Sequence, residues 1–199
     1  MTNAQNKFSA VTTFHLPKHL YAVDMINSFF ANWPNEVTLT AFIENSSKID
    51  NSAVKPKIII KDFDKTVPEY QKFVRKYKEK EKYTDDFRFN VFRFAHKVYA
   101  ILSALKDIKT KYLIWLDADI KTYKKLPVEF LDTLIKPNSY MSYLGRENIS
   151  VKHLNYSECG FLIFNTMKFL KKIRIPLNFV DFILYFSLVF LFFNTILRL

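Results

Sequence analysis

Glycine is almost missing from this chain, with 2 in 199 residues. A glycine-rich phosphate loop, whether of the P-loop or the dinucleotide-binding type, is thereby excluded. Cysteine is represented by Cys159 alone, which rules out an internal disulfide and a cysteine-rich zinc site. A reducing cytoplasm is the expected setting. A secretory signal is not expected at the start of the chain, since Met1 to Ala10 is mostly polar and no apolar run with a small-residue cleavage site follows. The four histidines, His15, His19, His96 and His153, lack metal-ligand spacing. His15 and His19 are separated by Pro17, which breaks helical geometry between them. Acidic residues are also scarce: 19 Asp plus Glu stand against 30 Lys plus Arg, for a formal charge of +11. Such an excess favours an anionic partner: nucleic acid, anionic lipid or a phosphorylated substrate.

What the chain does have is apolar mass. Hydrophobic residues make up 49% and aromatic residues 17%, with 21 Phe and 11 Tyr, enough to bury a core and to exclude a wholly disordered chain. Charged residues, at 25%, run along most of the length and argue against a polytopic membrane protein.

Hydrophobic spacing lays out alternating strands and helices. Ser9–Phe14 reads as a strand. Tyr21–Trp33 is helical, with Ala22, Met25, Ile26, Phe29 and Phe30 on one side. Val37–Ile43 alternates apolar and polar residues and is a second strand. Lys57–Ile60, extended to Phe63, gives a third. Pro68–Lys82 is a charged helix with a thin stripe at Tyr70, Phe73 and Tyr77; its basic run reads as a solvated face. Phe87–Leu105 is a longer helix whose Phe89, Phe92, Ala95, Val98, Tyr99, Leu102 and Leu105 form a buried stripe. Arg93 and Lys97, four apart, share another face of it. Lys111–Leu116 (KYLIWL) is a nearly continuous apolar run, as in a strand covered on both faces. Leu126–Ile135 is a short helix opened by Pro127, and Ser139–Leu144 and Gly160–Phe164 are further strands. This alternation predicts an α/β sandwich with a mainly parallel central sheet, and ligands in such folds gather beyond the carboxyl ends of the strands.

Asp117–Ala118–Asp119 follows KYLIWL directly, at that carboxyl end. Alternate residues of an extended chain point the same way, so both carboxylates are expected to face one site. Two close carboxylates repel unless a positive charge lies between them. A hard divalent cation with oxygen ligands, Mn²⁺ or Mg²⁺, would fill that place and could neutralise a diphosphate. The plainer alternative is an exposed polar turn after a strand. Arg93 and Lys97, on the helix that feeds this strand, suit an anionic ligand, or else pair structurally with a neighbouring acid. Both glycines fall in Tyr143–Arg146 (YLGR) and Ser157–Phe161 (SECGF). Their placement suggests close backbone approach. Glu158 could accept hydrogen bonds from sugar hydroxyls or balance a basic group; these segments could equally be plain turns. Cys159 has no activating base near it in sequence and reads as a small filler.

Taken in order, VTTFH, YAVDMINSFFANW, VTLTAFIEN, RFNVFRFAHKVYAILSAL, KYLIWLDAD, YLGR and SECGFLIFN resemble GT-A nucleotide-sugar glycosyltransferases of polysaccharide and lipopolysaccharide synthesis. The resemblance covers Ser9 to Thr166. It implies a Rossmann-like GT-A fold that transfers a sugar from a nucleotide diphosphate donor to a hydroxyl of a glycan or lipid-linked acceptor. It implies that Asp117 and Asp119 hold the metal and that Asp117 also serves the donor. Thr13, Phe14 and His15 match the end of the first strand, where the nucleoside sits. Arg93 and Lys97 match basic positions facing the donor. Glu158, a candidate catalytic residue, and Gly160 match the strand that approaches the donor sugar and the acceptor. The implied organisation is a flexible lead over 1–8, a nucleotide-sugar domain over 9–170, and a basic then hydrophobic tail over 171–199.

The resemblance breaks off after SECGFLIFN. Such enzymes continue into an acceptor-binding half with a further metal ligand, commonly His, and a catalytic carboxylate. Here Asp181 is the only acid after Glu158 and no His follows His153. In its place Ile175 to Leu197 reads as a hydrophobic helix long enough to span a bilayer, which needs about 20 residues. It is preceded by Lys168, Lys171, Lys172 and Arg174, which would hold that side in the cytoplasm. A truncated end is the other reading. Two rival functions stand beside sugar transfer. One is a phosphatase of the haloacid-dehalogenase type, with Asp117 as nucleophile and Asp119 as general acid; it would need its Asp-X-Asp near the first strand and a later acidic pair. The other is a non-catalytic basic module on membrane or nucleic acid, but no nucleic-acid motif is present and none is expected as a partner.

Overall fold

A computed structural model describes residues 6–15, 21–44, 56–78, 91–144 and 158–173. Six strands form one sheet in the order β3-β2-β1-β4-β6-β5: β1 (Phe8–His15), β2 (Thr38–Glu44), β3 (Ile58–Asp62), β4 (Tyr112–Leu116), β5 (Met141–Leu144) and β6 (Glu158–Asn165). The pairs β1·β2, β1·β4 and β2·β3 are parallel, and β6 runs antiparallel to both β4 and β5. The sheet is thus α/β and mainly parallel, as expected from the alternation of elements.

Helices cover both faces. On one side α1 (Tyr21–Asn32) buries Met25 and Phe29, with Trp33 beyond its end, against Phe8, Ala10, Leu39, Tyr112, Ile114 and Leu116. On the other, α2 (Phe63–Thr66), α3 (Pro68–Tyr77) and α4 (Val91–Lys106) pack Phe63, Tyr70, Phe73, Ala95, Val98 and Tyr99 against Val11, Phe42, Leu113 and Trp115. β4 is buried at every position, which is why its sequence is apolar throughout rather than alternating. Its side chains still divide by parity. Leu113 and Trp115 belong to the α4 side, and Tyr112, Ile114 and Leu116 to the α1 side.

Several boundaries differ from expectation for identifiable reasons. Phe8 is buried and stacks on Tyr112 at 5.4 Å, so β1 starts one residue early and the lead expected over 1–8 is already structured at its end. Phe63 does not extend β3. The Asp62 carboxylate accepts the Lys65 backbone N–H at 3.0 Å, an N-cap that turns the chain into α2. Asp62→Ala should cost about 1 kcal/mol of stability, measurable by urea denaturation. Pro127 is the cap of α5 (Val128–Thr133), not its first residue. A further helix, α6 (Thr166–Ile173), follows β6 where none was expected. The expected helical residues 79–82 and 87–90 lie outside the described residues, as does the whole apolar stretch 175–197. Among the described residues, no helix is long and apolar enough to cross a membrane.

Candidate functional site

The strand order reverses direction between β1 and β4: β2 and β3 build outward from one side of β1, and β4 continues on the other. Here the ladder also parts. β1 keeps its register with β2 as far as His15↔Glu44, but its last partner on β4 is Val11↔Trp115. Four residues of β1, Thr12 to His15, therefore run past their pairing with β4. A switch point of this kind, at the carboxyl ends of parallel strands, is where an open α/β sheet leaves room for a ligand.

Asp117 stands at that point. Its backbone N–H donates to the Gly160 carbonyl at 2.8 Å, and its own carbonyl accepts the Ile120 N–H at 3.1 Å. The segment Asp117–Ile120 is thus a turn, and the strand stops at Leu116. This corrects the expectation that Asp-X-Asp continues the strand in extended form: Asp117 still follows the strand's alternation, but the placing of Asp119 relative to it is governed by the turn. Ala118 between them is buried with Phe14, Ala22, Ala41 and Ile43, which anchors the turn on the α1 side. Asp119 is exposed.

The Asp117 side chain is 40% exposed and is held from the α4 side. The Lys97 ammonium donates to its Oδ1 at 3.1 Å, and the Trp115 indole N–H donates to the same oxygen at 2.6 Å. The Lys97 Nζ also lies over the Trp115 ring, 4.9 Å from the centroid. The lysine side chain is only 14% exposed, so the pair is less screened than an ordinary surface ion pair. Trp115 and Asp117 reach the same side because they are two apart at the end of a strand, and Lys97 comes down from α4 to meet them.

A second polar cluster lies at the ends of β1 and β2. Glu44 ion-pairs with the Nε2 of His96, and the Nε2 of His15 lies 3.9 Å from its other oxygen. The His96 ring stacks on Phe63 at 4.3 Å and meets Tyr70 edge-on at 4.2 Å. Sequence reasoning singled out His15 but neither Glu44 nor His96. The readable signal was that Glu44 ends β2 at the same rim and that His96 lies one residue before Lys97.

The other expected site residues are placed as follows. Thr13 directs its hydroxyl to the Phe42 carbonyl at 2.9 Å, bracing β1 against β2. Phe14 is 4% exposed and belongs to the core under the Asp-X-Asp turn, so only its backbone is available at the rim. Gly160 is buried and contributes its carbonyl to Asp117. Arg93 lies on α4 and Glu158 opens β6; their side chains fall outside the described residues, as does Gly145. The structure therefore joins Lys97, Asp117 and Gly160 directly, with Trp115 as a member that the sequence reading assigned only to the core.

In donor chemistry, though not in number of ligands, the turn suits a hard divalent cation. Among the described residues, no group of three or more His, Cys, Asp or Glu could hold a metal ion. What the turn offers is two carboxylates, hard oxygen donors of the kind Mg²⁺ and Mn²⁺ take. Such ions are commonly held by one or two carboxylates, with substrate phosphates and water completing the shell.

No protein-family model matches the chain, and no curated protein matches it. Solved structures do. Mouse xyloside xylosyltransferase 1 superposes with a TM-score of 0.52 at 14% identity, over 83% of this chain and 69% of that one. The bifunctional glycosyltransferase WbbM gives 0.52 at 12% identity, over 86% of this chain and 33% of its own length. The galactosyltransferase LgtC, solved with donor and acceptor sugar analogues, gives 0.50 at 13% identity, over 90% of this chain and 70% of that one. The chain thus spans about a third of WbbM and just over two thirds of the other two. At such identities the likeness concerns backbone architecture. Together with the strand order and the switch point, it establishes that this chain has the GT-A fold of glycosyltransferases.

Proposed function

We propose that the chain is a metal-dependent glycosyltransferase, or the donor-binding half of one, acting on a nucleotide diphosphate-sugar. The observation that carries this reading is the Asp117–Asp119 turn at the switch point, with a cation on the facing helix. Of the structures it resembles, the galactosyltransferase LgtC was solved with donor and acceptor sugar analogues. Sugar would pass to a hydroxyl acceptor, on a glycan or a lipid-linked glycan.

In this reading Asp117 and Asp119 hold Mn²⁺ or Mg²⁺. The metal would neutralise charge on the departing diphosphate. Lys97, sheltered between α4 and Trp115, adds a fixed positive charge beside that diphosphate, where partial burial makes it count for more than in water. The His15 end of β1, with Glu44 and His96 beside it, forms the wall toward the nucleoside. Arg93 extends the basic side of α4, and Glu158 is the candidate acid toward the sugar and acceptor.

Isothermal titration with UDP and GDP, with and without Mn²⁺, tests the reading. Saturable binding of one of them that disappears with EDTA is expected; no metal-dependent binding of either would overturn it. The Lys97–Asp117 pair adds a directional result. Lys97→Met keeps the stem over Trp115 and removes the charge. Affinity for the Mn²⁺–nucleoside diphosphate should fall about tenfold, the size of one hydrogen bond to a charged group. Affinity for Mn²⁺ alone should rise, because Asp117 no longer shares its charge with the lysine. Titrations of both ligands against the same variant check the two signs together.

A further inference from the structure

The Trp115 side chain is 2% exposed, yet its indole N–H is spent on a half-exposed carboxylate at the rim of the sheet. A buried tryptophan needs a partner for that N–H, and a backbone carbonyl would have served. We propose that Trp115 is a positioning residue for Asp117: its N–H pins Oδ1 and aims Oδ2 at the ligand. This inference rests on the donor-binding reading of Asp117 given above.

Three observations converge on it. Trp115 lies in a strand that is buried at every position and paired on both edges, so the ring cannot follow a moving carboxylate; the carboxylate must conform to the ring. Both donors, the indole N–H and the Lys97 ammonium, meet on Oδ1, and among the described residues Oδ2 accepts no hydrogen bond. The lysine is itself placed by the same ring, 4.9 Å above it. A single side chain thus fixes the carboxylate through its N–H and the cation through its face. Replacing the indole by a phenyl ring removes the N–H and leaves Asp117 free to rotate about χ1 and χ2, with a smaller cavity than alanine would leave. Outer partners of this kind typically change ligand affinity by about 10- to 100-fold when lost.

The chain has two tryptophans, Trp33 and Trp115, which supplies an internal control. The Trp33 indole N–H donates to the Thr122 hydroxyl at 2.9 Å, a neutral partner. In ¹H–¹⁵N spectra of the full chain, the two indole resonances are assigned by the loss of one in Trp115→Phe. Asp117→Asn should then shift the Trp115 indole proton upfield, as a charge-assisted bond becomes a neutral one, and leave that of Trp33 in place. An unmoved Trp115 resonance would overturn the proposal. The second measurement titrates Mn²⁺ with UDP or GDP into Trp115→Phe whose circular dichroism matches the parent chain. An affinity about tenfold lower or weaker still is expected; equal affinity would also overturn the proposal. If the parent chain binds neither nucleotide, the donor-binding reading fails, while the resonance shift still decides whether Trp115 pins Asp117.

Discussion

Asp117→Ala is expected to weaken Mn²⁺-dependent nucleoside diphosphate binding by more than about 100-fold, beyond what loss of an outer partner costs. The size follows from position. The carboxylate stands where β4 ends and the β1–β4 ladder has already parted, so no neighbouring strand offers a substitute. The substitution also leaves the Lys97 ammonium and the Trp115 N–H, both largely buried, without their shared acceptor. Stability should respond less than binding, because the Asp117 side chain is 40% exposed and the turn itself is held by backbone bonds to Gly160 and Ile120. Asp119→Ala should weaken binding in the same direction with still less effect on stability, since that side chain is exposed. Calorimetric titration beside thermal denaturation separates the two effects. Equal binding by Asp117→Ala and the parent would remove this residue from the site.

The largest effect on folding is expected at Phe63. It is fully buried and lies at the centre of an aromatic cluster. Phe42 meets it edge-on at 6.4 Å, Tyr70 edge-on at 5.1 Å, and His96 stacks on it at 4.3 Å. Phe63→Ala removes the ring from between β2, α3 and α4 and leaves a cavity that four-residue α2 is too short to close. The cost should be about 3–5 kcal/mol, a large part of the 5–15 kcal/mol typical of a domain. For a chain of this length that corresponds to a fall of about 6–20 °C in Tm. Phe63→Leu, which refills most of the space, should cost less than half as much. A Tm within about 2 °C of the parent for the alanine variant would contradict the packing described here. The alanine variant also withdraws the surface on which His96 stacks, so the His96–Glu44 pair should loosen with it.

How much of this was legible in the sequence depended on how far each feature is local. The apolar run KYLIWL announced a covered strand, and the three-and-four spacing of Phe92, Ala95, Val98, Tyr99, Leu102 and Leu105 announced the buried face of α4; all six are buried. The Asp-X-Asp was visible as a motif, but its geometry was not. A turn that starts at Asp117 depends on a backbone bond to Gly160, 43 positions away, and on the burial of Ala118 against β1 and β2. The antiparallel β6 was likewise invisible, because strand direction is a property of topology and not of pattern. Trp115 and Glu44 were missed for a different reason. Glu44 falls one residue past the strand expected over Val37–Ile43 and Trp115 inside the apolar run Lys111–Leu116, whereas each carries a polar atom that needs a partner. For Trp115 the cue was present: an indole N–H in a dry strand, with a carboxylate two residues on, on the same side. Asp62 carried a comparable cue, an Asx residue before a helical turn, hidden by the isoleucines of β3. Arg93 stands out by its spacing from Lys97 and Glu158 by its place beside a glycine; the resemblance adds their roles, and their side chains lie outside the described residues.

In the proposed site, two acids on one turn share a divalent cation with a nucleoside diphosphate. Electron paramagnetic resonance of Mn²⁺ tests it most directly, because the six-line signal of the mobile ion broadens when the ion is taken into a protein site. With UDP or GDP present, the parent chain should broaden that signal saturably, and Asp117→Ala and Asp119→Ala should each leave it close to that of Mn²⁺ and nucleotide alone. A signal that the parent chain does not change with either nucleotide, or that both variants broaden as the parent does, would contradict a metal held at this turn.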